Sequence, residues 1–265
     1  MLKSLSIKSL YVLALAEGEG VGTAYEYFAK RLVLARWLKH RQAQQRRPQR
    51  LLIAGLPEKY GSSLDFLQMA QELDAAVTVA DERPSALQKL QNSWAAAQKE
   101  GWLTAVSPQL IPLTHLADLS PIDEAFDLCL GSEGLQRLDA SDRPDYVRHV
   151  RRLASRAALF APNGDNMAHT NISGLAGVTL AEMQQLVGQT ATTGYIDMPP
   201  FPPGITRSDE QREQATSGTR EAMAMWGLGY YARLEHFLPT AVRRKQSHIV
   251  YALMNLDKEL DTDKH

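Results

Sequence analysis

Arg50-Leu-Leu-Ile-Ala-Gly-Leu-Pro-Glu-Lys-Tyr-Gly-Ser-Ser-Leu-Asp-Phe66, followed as far as Asp81, decides how the rest of the chain is read. The apolar run Leu51 to Ala54 predicts a strand that stops at Gly55. A loop to Gly61 then leads into a helix expected to begin at Ser62, whose hydroxyl can cap it while Asp65 sits three residues on. Phe66, Leu67, Ala70 and Leu73 fall on one stripe, so that helix can cover a sheet. A second strand, Ala76 to Ala80, ends on Asp81 and Glu82. Strand, glycine-bearing turn, helix and acid-ended strand make a βαβ unit suited to a nucleoside: backbone N–H groups of the turn approach the ligand, and the carboxylate accepts from ribose hydroxyls. The three clustered glycines of a dinucleotide fingerprint are missing, because only Gly55 and Gly61 bracket Pro57, Glu58, Lys59 and Tyr60. The plain alternative is an ordinary α/β turn.

Working outward, 265 residues of which 44% are apolar and 22% charged describe a folded core with a terminal extension, neither a disordered chain nor a disulfide scaffold. A net charge of −1 exerts no global pull on nucleic acid or acidic lipid. The basic stretch Arg36 to Arg50 has no interleaved aromatic beyond Trp37 and reads as a solvated helix end and linker, so no nucleic-acid partner is expected. The single cysteine, Cys129, excludes an internal disulfide and argues against a cysteine-built metal site. Leu10 to Ala16 is too short to cross a bilayer, and no membrane association but a cytoplasmic location is expected.

Leu10 to Ala16 fits either a strand or a helix, and Gly18, Gly20 and Gly22 break the chain after it. Thr23-Ala-Tyr-Glu26 reads as a capping box opening a helix to about His40, with Phe28, Leu32, Ala35 and Leu38 inward. Gly18 to Gly22 is a flexible entry to that helix rather than a phosphate cradle, since no acid-ended strand follows at the needed distance. Beyond Asp81 the alternation continues: a helix opened by Pro84, a strand within 102–119, a strand Phe126 to Gly131, a helix through Tyr146, Val147, Val150 and Leu153, and a strand Ala157 to Pro162. Thr179-Leu-Ala-Glu182 is a capping box, Thr192 to Met198 is strand-like, and Ser247 to Met254 is the last strong strand. Between the last two lie the proline-rich loop Pro199 to Pro203 and a helix capped at Ser208, with Met223, Trp226, Tyr230, Leu234 and Phe237 at helical steps.

The order of these signals resembles a class I S-adenosylmethionine-dependent methyltransferase over about residues 50 to 254. The likeness is specific in three stretches: the opening unit through Asp81; Glu124-Ala-Phe-Asp-Leu-Cys-Leu-Gly131 with Ser132-Glu133; and Arg152-Leu-Ala-Ser-Arg-Ala-Ala-Leu-Phe-Ala-Pro-Asn163. The resemblance implies a Rossmann-like, doubly wound, mostly parallel seven-stranded sheet flanked by helices. It divides the chain into a helical extension or lid (1–49), an α/β domain (50–256) with a cap insertion (199–245), and a tail (257–265). It further implies S-adenosylmethionine as cofactor, with Gly55 and Gly61 passing its methionine part, Asp81 and Glu82 at the ribose, Asp118 at the adenine amino group, and Gly131 and Ser132 near the sulfonium. Asn163 and Asn166 would face the pocket of a small-molecule acceptor, roofed by the helix carrying Tyr25. The chain departs from the family at Ile53, where an acid is usual, and at Pro57, where a glycine is; Glu58 could supply the missing carboxylate.

Methyl transfer is an in-line displacement at an activated carbon, so positioning does most of the work and a base is needed only for a hydroxyl or amine acceptor. Glu133, His169 and His236 are the candidates for that base. No metal site is expected, because the seven histidines show no paired metal-ligand spacing with a carboxylate. The sequence has neither a Gly-x-Ser-x-Gly turn nor a Gly-Lys-Ser/Thr phosphate loop, which argues against a hydrolase of that type and a nucleotide triphosphatase. Two other readings stand beside methyl transfer. One is a non-catalytic binding or assembly protein, using residues 223–237 as a contact surface for a partner protein or a second copy. The other is an enzyme using a nicotinamide dinucleotide.

Overall fold

Seven strands that are mostly unbroken apolar runs pair into one sheet: β1 (Arg50–Ala54), β2 (Ala76–Asp81), β3 (Gln109–Pro112), β4 (Leu128–Ser132), β5 (Arg156–Pro162), β6 (Thr192–Ile196) and β7 (Ile249–Asn255), in the order β3-β2-β1-β4-β5-β7-β6. The computed structural model describes residues 5–40, 47–200 and 219–256. β1 to β5 run parallel, whereas β7 lies antiparallel between β5 and β6. This is the arrangement that the methyltransferase resemblance implied, and it explains why the central strands alternate so little: helices cover both faces. The period of two shares each strand between two cores. Leu51, Ile53, Leu128, Leu130, Ala158 and Phe160 face the first. Leu52, Ala54, Cys129, Ala157, Leu159 and Ala161 face the second.

Helices α1 (Ile7–Ala16), α2 (Val21–His40), α3 (Leu64–Leu73) and α4 (Pro84–Lys99) supply side chains to the first core. Helices α5 (Arg143–Leu153) and α7 (Leu180–Val187) supply the second, α7 opening on the expected Thr179–Glu182 box. The short α6 (Met167–Ser173) follows β5, and α8 (Thr219–Leu234) and α9 (Thr240–Gln246) precede β7. The Ser208 cap and the tail 257–265 lie outside the described residues.

Two local expectations are corrected. The helix α2 begins at Val21, so Thr23 to Glu26 sit inside its first turns and form no capping box; Glu26 instead pairs with Lys30 one turn on, at 2.5 Å. The helix α3 begins at Leu64, and Ser62 does not cap it. Ser62 donates its hydroxyl to Glu17 Oε1 (2.6 Å), and the same oxygen accepts from Ser62 N (2.7 Å) and Leu64 N (3.2 Å). A carboxylate from the end of α1 thus does in trans what a local cap does at other helices, satisfying orphan amides and matching the positive end of the helix. Burial raises the pKa of Glu17 despite those donors.

Candidate functional site

The carboxyl ends of β1, β2 and β4 are the place where an open α/β sheet holds its ligand. Gly55 (φ +88) and Gly61 (φ +72) do take the left-handed conformations that the turn requires. The space around them is filled from within. A Cβ on Gly55 would lie 3.4 Å from the Leu116 methyls and 3.5 Å from Arg137, and one on Gly61 would lie 2.5 Å from Tyr27 Oη. Asp81 is wholly buried. Its Oδ2 accepts from Leu56 N (2.7 Å), Arg83 (3.0 Å) and Arg137 (3.0 Å), and its Oδ1 from Arg83 N (2.8 Å) and Arg83 Nε (2.9 Å). Arg137 also pairs with Glu82 and donates from Nε to Glu133 O (3.1 Å). Burial alone would raise the pKa of Asp81, but the Arg83 hydrogen bond and the Arg137 charge outweigh it and hold the group low. The residues around Asp81 do not fit the ribose of an adenosyl group.

A buried row of charge runs from there beneath α2. Glu133, in the left-handed region at φ +55, accepts from Glu58 N at 2.7 Å and so ties the end of β4 to the first turn. Lys30, only 1% exposed, bonds Ser132 Oγ (2.7 Å) and Glu26. Burial works against the Lys30 charge, yet Glu26 and Asp65 keep its pKa above the ordinary value. Burial pushes Asp65 up to about 7, and burial with the nearby Glu26 pushes Glu133 up to about 7.

A second concentration of polar groups sits where β5, β6 and β7 meet. Pro162 and Ile196 both pair with Ile249, so the residues just outside these three strand ends, Asn163, Asp197 and His248, fall together. His248 N donates to Asp197 O and Asn163 N to His248 O, each at 2.7 Å. His248 Nδ1 lies 3.2 Å from Asp197 Oδ2, and the ring stacks on His169 with centroids 4.1 Å apart. Asp197 holds φ +64, a strained backbone for a residue with a Cβ, and its Oδ1 is buried with no hydrogen-bond partner among the described residues. Burial disfavours the charged form of His248, but the Asp197 hydrogen bond and charge raise its pKa overall. Burial and the neighbouring His248 push His169 down to about 4.

Both rings line an open cavity of about 570 Å³. Its polar end is Asn166, His169, Gln246 and His248; the rest is mainly Met198, Pro199, Pro200, Tyr231, Leu238 and Val242. Glu235 braces the rim: it accepts from Tyr25 Oη (2.8 Å) and from the amides of Asp197 and Met198 (both 3.1 Å), and burial followed by Asp197 pushes it up to about 6.

The expected site residues therefore divide. His169 and Asn166 reach the cavity. Tyr25 stands behind it on Glu235, and Asn163 is a pin, donating to Arg244 O and Ser247 O at 2.8 Å. His236 packs on Phe237, outside the cavity lining. Glu133, Ser132 and Gly131 lie at the end of β4, and a Cβ on Gly131 would lie 2.8 Å from Tyr146 Oη. Glu58 is exposed and faces Gln136 at 3.4 Å, and Asp118 is exposed and caps Ser120 N at 2.9 Å. The groups missed in the sequence are Glu26, Lys30, Arg83, Arg137, Asp197, Glu235 and His248. The readable signals were the Glu26–Lys30 spacing and the polar residues abutting apolar strands at Asp197 and His248. On α8, Met223, Trp226, Tyr230 and Leu234 are exposed, as is Phe237 beyond it.

No family model matches the chain, and no curated protein is similar to it. Among solved structures it is similar to the methyltransferase domain of bacterial CtHen1-CN, with 11% identity and a TM-score of 0.48 over 86% of this chain and 100% of that one. Magnesium protoporphyrin IX methyltransferase (ChlM) from Synechocystis PCC 6803, solved with bound SAH, gives 12% and 0.45 over 85% of this chain and 83% of its own. TehB from Haemophilus influenzae gives 12% and 0.41 over 61% of this chain and 54% of its own, so the chain spans little more than half of that protein. Likeness at this level carries no activity across; the strand order itself defines the class I methyltransferase fold.

Proposed function

We propose that this chain is an enzyme of the methyltransferase fold whose working site is the cavity at the ends of β5, β6 and β7. There His248, oriented by Asp197, takes a proton from a small molecule. The observation that carries the reading is the Asp197–His248 pair at 3.2 Å, with His248 lining the cavity. With Nδ1–H donated to the carboxylate, the neutral ring keeps its lone pair on Nε2, as a general base requires. The neighbouring His169, held neutral, adds no charge to oppose protonation of His248. Among the described residues no Lys, Arg, Asp or Glu lines the cavity, so the ligand is a neutral molecule with a large apolar part and an acidic O–H or N–H.

Strand order favours a second reading in which that molecule is a methyl acceptor and S-adenosylmethionine the donor. The groove at Asp81 gives this donor no support. Soaking crystals with small neutral phenols and amides tests the first reading: bound fragments are expected in the cavity within hydrogen-bond reach of His248. Fragments that bind only elsewhere, or as well to His248→Asn, would remove it.

A further inference from the structure

We infer that the groove beside β2, where this fold would seat an adenosyl ribose, is filled by a permanent internal ion cluster, with Arg83 and Arg137 taking the place of the ligand against Asp81. A carboxylate offers about four lone-pair directions. Asp81 already receives two donors on Oδ1 and three on Oδ2, five in all, from within the chain. Ribose hydroxyls would have to displace a guanidinium to reach it.

That displacement is resisted by the other bonds each arginine makes. Arg83 also donates to Leu56 O (2.8 Å) and Pro57 O (3.2 Å), locking the backbone that would have to open toward a methionine moiety. Arg137 spans the gap from the loop after β4 to the two acids at the end of β2, Asp81 and Glu82, with 9% of its side chain exposed. Leu116, fully buried, lies where a Cβ on Gly55 or on Gly134 would meet its methyls at 3.4 and 3.2 Å. Two acids, Asp81 and Glu82, face two arginines, so the cluster is neutral without a ligand, and its solvent cost was met when the chain folded. The acid-ended strand that signals a nucleoside site in the sequence has become a staple joining the turn after β1 to the loop after β4.

Isothermal titration of the wild-type protein with S-adenosylhomocysteine to about 1 mM, followed by co-crystallisation at the same concentration, tests this. The expected result is no heat and no adenosyl density beside Asp81. A ligand found elsewhere, with Asp81 still held by both arginines, also upholds the inference. A ribose hydroxyl within hydrogen-bond distance of Asp81, or heat that Asp81→Asn abolishes in a variant that still melts cooperatively, overturns it. The cavity reading stands or falls separately, on the fragment soaks; the methyl-donor reading loses its usual seat if the inference holds.

Discussion

Replacing Arg137 by Met keeps most of the side-chain stem and removes only the guanidinium, which isolates the charge held between Asp81 and Glu82. Breaking a buried pair by deleting one partner costs about 3–5 kcal/mol, since a charge is left without compensation. Asp81 keeps Arg83 and the Leu56 amide, so the low end applies, about 3 kcal/mol by the same principle. Solvent screening gives little relief, because Asp81 is 0% exposed and Arg137 9%. At roughly 2–4 °C per kcal/mol for a chain of this size, the melting temperature should fall by about 6–12 °C. The assay is urea unfolding at neutral pH of wild type, Arg137→Met, Asp81→Asn and the double variant. Contacting groups in one network should show a coupling energy of about 0.5–3 kcal/mol. A loss under about 1 kcal/mol, or additivity within about 0.3 kcal/mol, would refute the view that the two groups form one buried unit.

Further expectations follow from the charge beneath α2 and at the cavity. Asp65 and Glu133 are both pushed up to about 7 in the folded protein, above their unfolded values, so the stability they contribute is present at low pH and is lost as pH rises through about 7. The urea midpoint should therefore fall between about pH 4.5 and 7 and level off above that, and Glu133→Gln should flatten the slope; a wild-type midpoint constant from about pH 4.5 to 7 would contradict it. Asp197→Asn should lower the pKa of His248, since burial would then be opposed only by the charges of Glu26 and Glu235, as a histidine-ring NMR titration would show. Gly131→Ala places a Cβ 2.8 Å from Tyr146 Oη and 3.2 Å from Ala54 O, against the bond between those two atoms. Overpacking of this kind costs about 1–3 kcal/mol, readable by calorimetry.

The fold was legible because its signals are local and repeated. Runs such as Leu51 to Ala54 and Ala157 to Pro162, each followed by a stripe of helical apolar residues, need only periodicity to be read. Helix starts were legible where the signal lies in the same segment: Pro84 opens α4 and the Thr179–Glu182 box forms, whereas the cap of α3 comes from Glu17, far away in sequence. The site was less legible for a related reason. Asp81 has the position expected of a ribose ligand, and only the arrival of Arg137 from beyond β4 shows that its lone pairs are already taken. In the same way, the antiparallel pairing of β7 with β5 and β6 brings His248 to Asp197, a meeting that no spacing along the chain announces.

Glu17 gives the opening helix pair a standing that its place at the edge of the sequence disguises. Shorten the chain to start at β1 and the leading amides of α3 lose their acceptor, while Tyr27 and the apolar wall of α2 leave the first core open to water. The trimmed piece would therefore have to find a new anion or unravel that turn, and the strands behind it would inherit the fault.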